Sequence, residues 1–281
     1  MKRMFGLLVL VALIMAGWKA PVIQYEFPAG ATKLAQDHQV GIVTVFYMGE
    51  EEYFARITEA QKGLKGIHYL EGIFPLGRVT FALGQTNDVY GIAYIGAGGI
   101  IKDNHVLTVR HLFEHDQNTI GRRTWVYQKD ALLGNEAELV AITSGPEFYD
   151  DYAVIRLSVP TGLPGLKLSQ YEGRDGEPIM FLGSTGGLCY QFRYSLLSHA
   201  ARYFEREGDA VTIKRWEKFD LVMTYPGGPG DSGGIIVNAK GELLGIMYCG
   251  ITVYSEEYIF ANPLSLAWKF LQANKLDGLA R

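Results

Sequence analysis

The chain has 281 residues, 48% of them hydrophobic and 20% charged, with a formal net charge of −4. That much apolar sequence can fill one large core or two modest ones, which excludes a disordered chain. A slightly acidic balance without a clustered Lys/Arg face argues against a nucleic-acid partner.

In chain order, Lys2 and Arg3 precede an apolar run from Met4 to Gly17, and Trp18-Lys19-Ala20-Pro21 follows. This reads as a signal peptide over residues 1–17. The run is shorter than the roughly twenty residues a spanning helix needs, and an uncleaved membrane anchor is the alternative. The chain is therefore expected to be exported, either secreted or periplasmic, or attached to a membrane through its N-terminus. Residues 18–80 read as an extension containing a strand at Val40 to Met48 and a helix at Glu50 to Leu64. Tyr53, Phe54, Ile57, Ala60 and Leu64 fall near helical spacing there, behind three glutamates. The extension has four readings: a pro-segment, a lid, a partner surface, or an embellishment packed on the main body.

From residue 81 to 281 short β-type runs alternate with turns. The runs are Val89 to Ile95, Val106 to Val109, Trp125 to Tyr127, Leu139 to Thr143, Ala153 to Leu157, Ile179 to Leu182, Val211 to Ile213, Leu221 to Thr224, Ile235 to Val237, Leu243 to Tyr248 and Tyr258 to Phe260. Many short strands at this spacing indicate an all-β barrel or sandwich. Arg202 to Lys218 mixes both charge signs and reads as a solvated hairpin face. A closing helix fits Leu264 to Asn274, after Asn262-Pro263.

One segment carries chemistry. Gly230-Asp231-Ser232-Gly233-Gly234 reads as a serine held in a tight glycine turn, and a serine hydroxyl needs a neighbouring base to act as a nucleophile. Upstream, His111 ends the apolar run Val106-Leu107-Thr108-Val109-Arg110, and Asp151 opens the run Tyr152-Ala153-Val154-Ile155-Arg156-Leu157. His105 and His115 compete with His111, but both sit in polar stretches. Asp150 competes with Asp151, but only Asp151 directly precedes the apolar run.

With these three contexts in the order His, Asp, Ser, the chain resembles the trypsin-like (chymotrypsin-fold) serine peptidases. The stretch Ser232 to Ile246 looks most like the bacterial HtrA-type branch, without its peptide-binding module, and Gly96-Ala97-Gly98-Gly99-Ile100-Ile101 followed by Val106-Leu107-Thr108 is similar to the hairpin that precedes the family's histidine. The resemblance covers roughly the last two hundred residues. It implies two packed antiparallel six-stranded β-barrels with a C-terminal helix, the N-terminal strand-helix segment being an addition. It further implies Ser232 as nucleophile, His111 as general base and Asp151 as the group orienting the imidazole. The backbone N–H groups of Gly230 and Ser232 would form the oxyanion hole. Pro226 and Gly250 would line the specificity pocket, and a neutral base to that pocket implies an apolar residue at P1. The substrate is then a polypeptide.

The chain departs from the family in places. Arg110 stands where a small residue is usual, Ile235 replaces a frequent proline, and Tyr248 takes the place of a small hydroxyl residue that supports the aspartate. There is no Ile-Val-Gly-Gly type start, so activity without zymogen activation is expected, and the sequence identifies no partner for Asp231. Cys189 and Cys249, the only cysteines, read as two buried thiols. No cofactor or metal is implied: Gly96-Ala97-Gly98-Gly99 fails the dinucleotide pattern at Ile101, and the histidines are scattered. Alternative functions are a catalytically silent binding protein on the same fold, or an esterase.

Overall fold

A computed structural model describes residues 27–62, 67–69, 72–79, 89–114, 117–129, 131–144, 151–188, 191–207, 210–224, 227–253 and 256–280. The chain opens with α1 (Ala29–His38), β1 (Gln39–Met48), α2 (Glu50–Lys62), β2 (Ile67–Tyr69) and β3 (Gly72–Val79). Next come β4 (Val89–Lys102), β5 (His105–Thr108), a 3-10 turn at His111–Phe113, β6 (Thr119–Gln128), β7 (Ala131–Leu132), β8 (Glu138–Ile142) and β9 (Ala153–Arg156). The remainder is β10 (Pro178–Gly183), β11 (Gln191–Leu196), β12 (Ser198–Glu207), β13 (Ala210–Thr224), β14 (Ile235–Asn238), β15 (Leu243–Val253), β16 (Glu256–Pro263) and α3 (Leu264–Ala273).

The strands form two curled antiparallel sheets. The first runs β7-β6-β1-β4-β5-β9-β8 with β3 also on β4, and the second runs β11-β10-β14-β15-β16-β13-β12 with β2 also on β15. Each sheet thus has eight strands where six were expected. Three of the four additional strands come from upstream of residue 81. β1 lies between β4 and β6, in continuous register with β4 from Gln39 opposite Gly99 to Met48 opposite Tyr90, and paired with β6 from Gly41 to Met48 with a shift after Tyr47. β3 pairs with β4, and β2 with β15. The body expected to begin at residue 81 therefore takes three strands from before that position.

β1 is apolar along almost its whole length and correspondingly buried, as a strand covered on both faces must be. In α2, Glu50, Glu51 and Glu52 occupy the first turn, where the helix dipole favours negative charge. α1 has no counterpart in the sequence reading. It buries Ala31, Ala35 and His38. Ala31 and Leu34 lie against Gly241, in the turn between β14 and β15, so a helix leading into the first sheet packs on the second. The runs at Val211 to Ile213 and Leu221 to Thr224 are parts of one strand, β13, and β12–β13 form the hairpin expected around Arg202 to Lys218. β11 and β12 carry too many polar residues to be recognised from apolar runs.

One continuous core joins the sheets. It includes Val106, Leu107 and Ile155 from the first, Leu182, Ile235 and Ile246 from the second, and Phe270 and Leu271 from α3. Cys249 is buried in it, while Cys189 lies outside the described residues. Among the described residues no helix is long and apolar enough to cross a membrane; the segment read as signal or anchor lies outside them.

Tyr152 ties the two sheets together next to Asp151. Its ring stacks on Phe270 at 5.9 Å, and its hydroxyl donates to the Pro263 carbonyl at 2.7 Å. Tyr152→Phe is expected to leave that buried carbonyl without its donor and to cost about 1–3 kcal/mol, read from urea unfolding. His105, at the start of β5, has its imidazole pKa held below the usual value, first by burial and then by the charges of Arg156 and Lys102. The unfolded chain then binds this proton more readily, so stability is lost as pH falls below the ordinary histidine value of about 6.5. His105→Gln is expected to flatten the pH dependence of unfolding between about pH 5 and 7.

Candidate active site

Each of the three chemistry-bearing side chains sits where a strand begins or ends. β5 stops at Thr108, and the chain turns through Arg110 into the 3-10 turn that starts with His111. Asp151 lies two residues before β9, which pairs with β5 so that Thr108 faces Ala153. This pairing places aspartate and histidine side by side on the first sheet. Ser232 lies three residues before β14 in the second sheet.

The serine turn is fixed by main-chain bonds to both sheets. The Ala97 N–H of β4 donates to the Ser232 carbonyl at 2.6 Å, and the Gly233 N–H donates to the Met247 carbonyl of β15 at 2.8 Å. Gly233 has φ 87°, and a Cβ there would fall 1.9 Å from the Ala97 carbonyl oxygen. Gly230 has φ 104°, and a Cβ would fall 2.3 Å from the Ser184 carbonyl oxygen. Only glycine meets both the conformation and the space at these positions.

The structure brings His111, Asp151 and Ser232 together. Nδ1–H of His111 donates to Asp151 Oδ2 at 2.5 Å, and the backbone N–H of His111 donates to Oδ1 at 3.0 Å. A carboxylate oxygen can only accept, so Nδ1 carries the proton and Nε2 is left as an acceptor. The Ser232 hydroxyl donates to Nε2 at 2.7 Å. Asp151 is fully buried and His111 is 3% exposed. Both Asp151 oxygens are thus taken by one residue, and Asn262 Nδ2 donates to the Asp151 main-chain carbonyl at 3.4 Å. His105 is on β5, away from this cluster, while His115 and Asp150 lie outside the described residues.

Arg110, unusual at this position, is taken into the interior. It is 1% exposed, and its Nε reaches Glu114 Oε1 at 2.8 Å across the 3-10 turn. Tyr248, also expected to alter the aspartate's surroundings, is buried in β15.

Asp231, fully buried beside Ser232, has partners the sequence did not reveal. Its Oδ1 accepts from the Thr185 hydroxyl at 2.7 Å, and its Oδ2 accepts from the Gly228 N–H at 2.9 Å and from Arg193 Nη1 at 3.1 Å. Arg193 Nη2 also donates to Thr185 Oγ1 at 3.2 Å. Arg193 stands on β11, whose alternate residues Phe192, Tyr194 and Leu196 face outward. The only sequence signal was that alternation, which turns Arg193 inward. Among the described residues, the N–H groups of Gly230 and Ser232 donate to no backbone acceptor. Gly250 lies in β15, opposite Ile259 of β16 and His68 of β2. Pro226 lies outside the described residues, and among them no cluster of His, Cys, Asp or Glu could hold a metal ion.

This architecture, two antiparallel sheets meeting at a hydrogen-bonded serine, histidine and aspartate, is that of a trypsin-like domain. A family model described as trypsin-like peptidase domain matches residues 96–246, and the chain belongs to that family. It is 26% identical over 200 residues to the serine endoprotease DegS of Haemophilus influenzae, covering 68% of this chain and 53% of that protein. It is 28% identical over 189 residues to a probable periplasmic serine endoprotease, DegP-like, of Ectopseudomonas mendocina, covering 66% of this chain and 36% of that protein. The chain thus spans about half the length of the first and about a third of the second. Its fold is like that of an HtrA-type protease, an AlgW variant with a decapeptide, at a TM-score of 0.58 and 18% identity, over 90% of this chain and 68% of that one. It is also like that of the active form of the Rv3671c protease from M. tuberculosis, at 0.53 and 15%, over 86% of this chain and 82% of that one.

Removing one partner of a buried ion pair typically costs about 3–5 kcal/mol, whereas replacing both by neutral groups is often harmless. Arg193→Met is expected to destabilise the protein by about that amount and to displace the Gly230–Ser232 turn. Arg193→Met combined with Asp231→Asn is expected to recover most of the stability, as chemical denaturation of the two variants will reveal.

Proposed function

We propose that the chain is a serine endopeptidase that cleaves polypeptides through Ser232, His111 and Asp151. The observation that carries this reading is the unbroken hydrogen-bonded line from Ser232 Oγ through the imidazole to Asp151, with distances of 2.7 and 2.5 Å, crossing from one sheet to the other. A side-chain pair within hydrogen-bond reach, with the base held by a third group, is what activates a weak nucleophile. His111 takes the hydroxyl proton as Ser232 attacks the carbonyl carbon, and Asp151 stabilises the imidazolium that forms. The leaving amine receives that proton, and water then resolves the acyl-enzyme. The N–H groups of Gly230 and Ser232 serve as the oxyanion hole, a role supported by their lack of backbone acceptors among the described residues.

Further parts of the reading rest on sequence. Residues 1–17 act as a signal peptide or membrane anchor, so the enzyme works outside the cytoplasm; two relatives carry printed names with periplasmic in them. Residues 81–281 hold the whole catalytic apparatus, and residues 18–80 add to it. Pro226 and Gly250 line a pocket that takes an apolar P1 residue.

A fluorophosphonate probe tests the central reading. The native protein is expected to be labelled, with the label lost in Ser232→Ala. Asp151→Asn is expected to lower kcat/KM by about 10³–10⁴-fold, because the imidazole then loses its held tautomer. Folded protein that takes no label would favour the catalytically silent alternative, and turnover of simple esters but not of peptides would favour the esterase. In a P1 series, Leu, Phe or Met substrates are expected to exceed Arg; a clear preference for Arg would refute the pocket.

A further inference from the structure

Ser184 and the 3-10 turn Thr185–Gly187 follow β10 in the second sheet and lie against the serine turn. The Gly186 N–H donates to the Pro229 carbonyl at 2.6 Å, and the Thr185 hydroxyl donates to Asp231 at 2.7 Å. The first of these bonds aims a donor. The Pro229 carbonyl and the Gly230 N–H belong to one planar trans peptide, in which they point opposite ways. Tying the carbonyl to Gly186 therefore turns the Gly230 N–H, one of the two proposed oxyanion donors, away from the segment. Rotation of that peptide plane would put a carbonyl where the donor stands.

The segment is gripped at both ends. Gly186 and Gly187 have φ of 64° and 83°, and two successive glycines have little conformational preference of their own. Thr185 is tied to Asp231 within the second sheet, while the other tie comes from the first. Tyr127 Oη on β6 stands 2.8 Å from the Gly187 carbonyl oxygen and 3.0 Å from Ser184 Oγ. A carbonyl only accepts, so the phenolic proton goes to Gly187 and the Ser184 hydroxyl donates to the phenolic oxygen. β1 makes room for this reach. Gly41 faces Tyr127 in the β1–β6 pairing, and a Cβ there would fall 2.1 Å from the ring carbon that bears the hydroxyl. A larger residue at Gly41 would push the ring off β1. Ile95 of β4 adjoins the same place, its Cδ1 3.5 Å from where a Cβ on Gly187 would be.

We propose, resting on the peptidase reading above, that Tyr127 is a positioning residue for the reaction. Its hydroxyl holds Ser184–Gly187 in place from across the two sheets. That segment in turn fixes the Pro229–Gly230 peptide, so that the Gly230 N–H is already aimed when the substrate carbonyl becomes an oxyanion. Preorganised donors of this kind act on the charge that develops in the transition state and add little to ground-state binding. The hydroxyl of Tyr127 therefore serves kcat more than KM.

Tyr127→Phe keeps the ring and removes the hydroxyl. Full-length wild type and variant are compared on a peptide substrate with Leu at P1, on the matching peptide aldehyde, which forms a tetrahedral adduct with the serine, and on an unreactive peptide of the same sequence. Complete loss of one oxyanion donor costs roughly 10²–10³-fold, so a loosened one is expected to lower kcat about tenfold with KM changed by less than about twofold. Inhibition by the aldehyde is expected to weaken by a similar factor, while the unreactive peptide binds as before. Thermal unfolding gives the folded fraction to which each kcat refers. A folded Tyr127→Phe with the kcat and aldehyde affinity of wild type overturns the proposal and leaves the peptidase reading standing. A rise in KM at constant kcat does the same, since the hydroxyl would then be a substrate contact. Should Tyr127→Phe not fold, Ser184→Ala takes its place: a smaller fall in kcat at unchanged KM is expected, and no fall overturns the proposal. Folded wild type that takes no fluorophosphonate label and turns over no peptide overturns both readings.

Discussion

The serine turn belongs to neither sheet alone. Its carbonyl accepts from Ala97 on β4 and its following N–H donates to Met247 on β15, so the position of Ser232 is set by how the two sheets dock. Any shift between them would have to break main-chain bonds in a region from which water is excluded, where an unpaired donor or acceptor costs about 1–3 kcal/mol. The same docking brings His111, carried by the first sheet, to within 2.7 Å of the serine oxygen. The Tyr152–Pro263 and Asn262–Asp151 bonds reinforce it from the far side of the aspartate.

Four charged or ionisable groups are buried around this junction: Arg110, His111, Asp151 and Asp231. Each has a specific partner. Arg110 reaches Glu114, His111 reaches Asp151, and Asp231 is held by Thr185, Gly228 and Arg193. Such pairs contribute little net stability, since desolvation offsets attraction. They contribute direction instead: each fixes a carboxylate or cation in one orientation. The arginine of β11, with Thr185 and the Gly228 N–H, holds the aspartate before the serine in one orientation.

The residues upstream of 81 are more deeply built into the domain than an appendage would be. β1 lies inside the first sheet, α1 packs on the second, and β2 and β3 pair with β15 and β4, the two strands that hold the serine turn.

Much of this was legible in the residues. Alternating short apolar runs specified an all-β chain, the dense apolar run at Val40 to Met48 marked β1, and Leu264 to Asn274 marked α3 to within a residue. His111, Asp151 and Ser232 stood out because each borders an apolar strand or a glycine turn, a local signal that needs no partner to be read. The sequence could not supply what depends on long-range pairing: eight strands per sheet, the insertion of β1 between β4 and β6, and the choice of Arg193 as the partner of Asp231. β11 escaped notice, and β12 was read only as one arm of a solvated hairpin, because polar residues hide a strand whose pairing is supplied by its neighbours. The sequence by itself determined the element types and the chemistry available, since both follow from local side-chain character. The tertiary structure alone decided which of these groups meet, because contacts between residues forty to eighty positions apart are set by the docking of two sheets and not by any stretch of chain.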